Sequence, residues 1–91
     1  MRGQSEKDIA KNYQRINDII KKSNGNLEKA ESLANQQAKL ITNEWKAINR
    51  ALAARELDRE DLFEIFFTRA YELGSVSQME YRDYVINRLL D

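Results

Sequence analysis

Between Gly74 and Glu80 the chain reads Gly-Ser-Val-Ser-Gln-Met-Glu. The spacing of a glycine, a branched residue and a glutamate matches the last seven positions of a calcium loop, where glycine bends the chain and glutamate chelates the ion. The positions that should bring the remaining oxygens are Arg69, Tyr71 and Leu73. An arginine beside the ion would repel it, so calcium is not expected to bind. The carboxylates Asp58, Glu60, Asp61 and Glu64 crowd into another short stretch. They suggest an acid-base pair or a metal site, but crowding at a helix start is also what the positive end of the helix dipole favours. The chain has no histidine and no cysteine, which removes the commonest general base, the commonest metal ligand, thiolate sites and disulfides. No catalytic, cofactor-binding or metal-binding residue is assigned, and the chain is not expected to be an enzyme.

The basic residues offer a different chemistry. Lys7, Lys11, Arg15 and Lys22 lie on the first helix opposite its apolar stripe, and Lys39, Lys46 and Arg50 lie among asparagines and glutamines on the second. A basic, amide-rich face of this kind can follow a phosphate backbone. The interleaved Asp18, Glu31 and Glu44 lower its local charge, so an ordinary solvated face accounts for the same pattern. The formal net charge is zero, with 10 Lys+Arg against 6 Asp+Glu in residues 1–50 and 5 against 9 in residues 51–91. An acidic second half disfavours a helix-turn-helix reading of the Ala70 to Gly74 corner, because duplex binding draws on phosphate neutralisation.

The elements that carry these residues are helical throughout. Proline is absent and only three glycines occur in the 91 residues, so nothing separates strands and little interrupts helices. The expected fold is all-α: one domain over 1–91, a small four-helix bundle with a long central helix and a C-terminal helical hairpin. The first helix runs from about Glu6 to Ser23 behind a Ser5 cap, with Ile9, Tyr13, Ile16 and Ile20 on its apolar stripe. Asn24-Gly25-Asn26 ends it and caps the next. The second helix is predicted over about 27–55, with Leu27, Ala30, Ala34, Ala38, Ile41, Trp45, Ile48 and Leu52 on one stripe, a rod roughly 45 Å long. Trp45 is expected in the core. Asp58 is expected to cap the third helix, with Leu57 and Leu62 as a hydrophobic staple, and Gly74 to close it. Ser77 and Glu80 form a capping box for the fourth, with Val76 and Tyr81 as its staple.

Gly74, Val76, Ser77, Glu80, Tyr81 and the pair Leu89-Leu90 resemble the short C-terminal helical hairpins known as SHOCT domains, over roughly the last quarter of the chain. The resemblance implies a helical hairpin and carries no function with it.

The third helix is unusually apolar. Leu62, Phe63, Ile65, Phe66, Phe67, Ala70, Tyr71 and Leu73 cover roughly 240° of a wheel drawn at 100° per residue, more than one buried stripe requires. Such a helix is either the middle of the bundle or an interface. The expected function is therefore a small non-enzymatic protein-interaction module, a homodimer or an accessory regulator docking a larger protein through the surface of the third and fourth helices. Phe63, Phe67, Tyr71 and Tyr84 are the candidate contacts. The alternative is a nucleic-acid-associated protein using the basic face of the first two helices. No segment has the length of apolar sequence a membrane span needs, no apolar run follows the N-terminal arginine, and a cytoplasmic location is expected.

Overall fold

A computed structural model describes residues 6–90, with side chains as far as Asn87. Its described residues form five helices and no strand: α1 (Glu6–Ser23), α2 (Leu27–Leu40), α3 (Glu44–Glu56), α4 (Glu60–Leu73) and α5 (Gln78–Leu90). Helix α1 packs on α2 and α3, α4 packs on α2 and α3, and α5 lies against α4. The result is a flat body of 35 × 34 × 21 Å.

The first helix has its expected bounds, although the Ser5 cap lies outside the described residues. Ile16 and Ile19 are buried, Tyr13 and Ile20 half-buried, while Ile9 is exposed. Asn24 and Gly25 both take positive φ, 48° and 85°, and the side chain of Asn26 accepts the Lys29 amide at 3.0 Å. Glycine tolerates that backbone without a Cβ penalty, and asparagine is among the side chains that also enter it.

The long second helix expected over 27–55 does not exist as one rod. The helix stops at Leu40, Ile41 turns extended, and a new helix starts at Glu44 behind Asn43, whose side-chain oxygen accepts the amides of Trp45 at 2.8 Å and Lys46 at 3.3 Å. A break leaves carbonyls without an i+4 donor. Here Arg69 reaches across from α4, its Nε–H and Nη2–H both donating to the Ile41 carbonyl at 3.1 and 2.9 Å. Two shorter helices can then fold against α1 and α4, which a 45 Å rod could not do.

The break also resets the buried face. Ala30, Ala34, Ala38 and Ile41 are buried as their stripe requires, but after residue 43 the buried set becomes Ala47, Ala51, Ala53 and Ala54. Alanine at these positions lets α3 approach its neighbours closely. Trp45, expected in the core, is 64% exposed, and Leu52 is also outside.

Asp58 is not the cap of α4, contrary to expectation. It takes the left-handed conformation, φ 59°, and the Arg59 amide reaches back to the Ala54 carbonyl at 2.9 Å, so Asp58 closes α3 in the position usually held by glycine. Arg59 is the residue at the α4 boundary and has no side-chain capping bond; it forms a two-pronged ion pair with Asp61 at 3.0 and 2.9 Å. That hydrogen-bonded guanidinium lowers the Asp61 pKa from its ordinary value.

The corner between α4 and α5 follows its sequence grammar closely. Gly74 has φ 94°, and the Ser75 amide donates to the Ala70 carbonyl at 3.0 Å, closing α4. Ser77 and Glu80 then bond reciprocally, each side chain accepting the other's amide at 3.1 Å. The Glu80 carboxylate thus serves as a helix cap. Ser77→Ala is expected to cost about 1 kcal/mol, read as a lower denaturation midpoint, with a smaller effect from Gln78→Ala; equal midpoints would contradict the capping role.

Candidate docking groove

The aromatic side chains expected to form a docking face are largely taken up in packing α5 onto α4. Phe63 is only 1% exposed, and Phe67, Tyr71 and Tyr84 are half-buried. Their rings form a ladder. Phe63 stacks on Phe67 at 4.9 Å, Phe67 meets Tyr81 at 5.8 Å and Tyr84 at 4.9 Å, and Tyr71 lies nearly parallel to Tyr81 at 4.5 Å. Hydroxyl groups pin its edges, Tyr81 with Thr68 at 2.8 Å and Tyr84 donating to Glu60 at 2.9 Å. The Arg55 guanidinium lies 3.8 Å from the Phe63 ring centre, covering it from α3. The wide apolar arc of α4 is thereby accounted for: one side serves α2 and α3, the other serves α5.

The acidic stretch dissolves into local roles. Asp58 closes α3, Glu60 accepts from Tyr84 and Asp61 pairs with Arg59. Among the described residues no group of acidic side chains is placed to hold a metal ion.

A different surface is assembled where α2 breaks. An open groove of about 1200 Å³ runs between α1, the 41–43 turn and the first half of α3. Lys11 and Arg15 line it from α1, Lys46 and Arg50 from α3, with Asp8 the one carboxylate among its lining residues. Amides from Asn12, Gln37, Asn43 and Asn49 lie between them, and two large apolar side chains stand on its wall, Trp45 and the 82% exposed Leu40. Four of the seven basic residues singled out in the sequence thus meet in one place. Lys7, Lys22 and Lys39 are exposed but do not line the groove.

Arg50 sits at the junction of three helices. Its Nε–H donates to the Asn12 side-chain oxygen at 3.3 Å and its Nη1–H to that of Gln37 at 3.2 Å, while the Phe66 ring centre lies 5.9 Å away on the core side. Burial first, and the like charge of Arg15 second, lower the Arg50 pKa from the usual guanidinium value. The cation is legible in the sequence but its setting is not, since Asn12 and Gln37 are distant in the chain and carry no pattern that joins them. Trp45 and Leu40 keep the spacing of a continuous helix, which hides their exposure. The available signal was Thr42-Asn43 before Glu44, a capping pair followed by an acidic first turn.

No protein family model matches the chain, and comparison with curated proteins and with solved structures finds no match. No described helix is long and apolar enough to cross a membrane.

Proposed function

We propose that the chain is a small non-enzymatic protein-interaction module that docks its partner in the groove at the helix break. The observation that carries this reading is the exposure of Trp45 and Leu40 in one groove with four cations. Tryptophan and arginine are the residue types that dominate binding energy at protein interfaces, and a fold this small gains by burying a large ring unless the ring has work outside. Relative to the expectation from sequence, the docking face moves from the third and fourth sequence helices to the groove of α1 and α3.

The grouping of Lys11, Arg15, Lys46 and Arg50 favours a second reading, binding of single-stranded nucleic acid with Trp45 as a stacking platform. Salt separates the two. Neutralising four phosphates of a single strand makes affinity fall with a logarithmic slope of about −2.8 in salt concentration, whereas an interface anchored on apolar side chains weakens far less.

The test is capture of a partner from the native host by wild type and by Trp45→Ala. Because Trp45 is mostly solvated, its truncation is expected to cost less than about 1 kcal/mol of stability and to abolish specific capture. A variant that loses several kcal/mol would return Trp45 to the core. One that melts normally and captures the same partner would remove the groove from function.

A further inference from the structure

We infer that the groove holds a carboxylate site centred on Arg50 and Arg15, and that the partner segment is acidic, setting an aspartate or glutamate on Arg50 and an apolar side chain against Leu40 and Trp45. The inference rests on the groove being the docking face and adds the chemistry of what enters it. Its starting point is an imbalance of charge. The two ion pairs seen among the described residues, Arg59–Asp61 and Arg69–Glu72, involve none of Lys11, Arg15, Lys46 and Arg50, and these four cations outnumber Asp8, the one carboxylate among the residues lining the groove. A half-buried arginine ordinarily has an acidic partner, because partial removal from water disfavours a lone charge. Arg50 instead rests on two neutral amide oxygens, with Arg15 as a like-charged neighbour.

The two amides do more than tolerate Arg50. They hold Nε and Nη1, fixing the plane of the guanidinium, while among the described residues only two of its five N–H donors are engaged. A planar fork fixed in advance suits a carboxylate and loses little freedom when it binds one. Arg15, exposed on α1, supplies a second cation to the same groove. A carboxylate arriving there relieves the repulsion between the two cations and replaces the water lost by Arg50.

One feature favours an acidic protein segment over a phosphate polymer. Leu40 is 82% exposed on the groove wall, and an aliphatic side chain offers a peptide an apolar contact but offers a nucleotide base no stacking face.

Trp45 is the single tryptophan of the chain and stands in the groove, so its fluorescence reports occupancy directly. The full chain would be titrated with a short helical peptide of glutamate and leucine, with its counterpart carrying glutamine for every glutamate, and with an oligothymidylate of equal length. The expected result is saturable change with the acidic peptide and at least about tenfold weaker binding of the glutamine peptide, the equivalent of one charge-assisted hydrogen-bonded contact. Arg50→Gln should reduce the acidic peptide to the affinity of the neutral one and leave the neutral one unchanged. If Arg50→Gln melts early, Arg15→Gln on the exposed face of α1 carries the test, with a severalfold loss for the acidic peptide alone. Equal affinity for both peptides, or insensitivity to both arginine variants, overturns the carboxylate site while leaving the groove a docking face. Absence of binding by any peptide also overturns it, and partner capture through Trp45 then decides the broader reading separately. Preference for oligothymidylate overturns both.

Discussion

Phe66→Ala is expected to lower stability by about 3–5 kcal/mol. Phe66 is fully buried on α4 in the core cluster that includes the α3 alanines, and its ring faces the Arg50 guanidinium. Alanine there leaves a cavity that the close-packed neighbours fill only in part, so the lost contacts add to the lost transfer energy. A domain of this size has on the order of 5–14 kcal/mol in total, and the melting temperature should fall by roughly 15–30 °C. Thermal melting and chemical denaturation both read it. Phe67→Ala, at a half-buried rung of the ladder, should cost distinctly less; equal losses would mean that the α5 side of α4 is as deeply packed as its inner side.

The second large effect is expected at Arg69. Its two hydrogen bonds to the Ile41 carbonyl hold the break between α2 and α3, and among the described residues no other side chain bonds to that oxygen. Arg69→Ala leaves a carbonyl of a buried residue to find water and frees the turn that positions Leu40 and Trp45, at a cost of about 1.5–3 kcal/mol. Arg69→Lys should recover only part, since an ammonium cannot reproduce the two-pronged contact of the guanidinium. The check is denaturation of both variants beside Glu72→Ala. Glu72 forms only a 3.3 Å, largely exposed ion pair with Arg69, and exposed pairs contribute little. If Glu72→Ala costs as much as Arg69→Ala, the surface pair and not the Ile41 clamp is what stabilises this region.

Local grammar was legible wherever a signal and its answer lie within a few residues. The bounds of α1, the Asn26 cap and the Ser77–Glu80 box were all readable because each is a short-range hydrogen-bonding arrangement. The break at residues 41–43 escaped because Ala38, Ile41, Trp45, Ile48 and Leu52 keep helical spacing right across it. Periodicity records which residues would share a face if the helix continued, and it does not record whether tertiary contacts favour stopping it. Here an asparagine cap and an arginine twenty-eight positions away stabilise the stop. At Asp58 the left-handed conformation was missed for a related reason: aspartate is both a common cap and a tolerated left-handed residue. The groove lay beyond sequence reading altogether, since Lys11 and Arg15 meet Lys46 and Arg50 only after α3 has folded back against α1.

Collisional quenching of Trp45 fluorescence in the free native protein tests most directly the claim that the helix break creates the docking surface. The chain has one tryptophan, so the signal needs no assignment. The groove predicts quenching by acrylamide approaching that of the unfolded chain, with emission little shifted on denaturation, because Trp45 is 64% exposed. Strong protection with blue-shifted emission would contradict it, restoring one continuous helix with Trp45 in the core and removing the surface on which the proposed interaction depends.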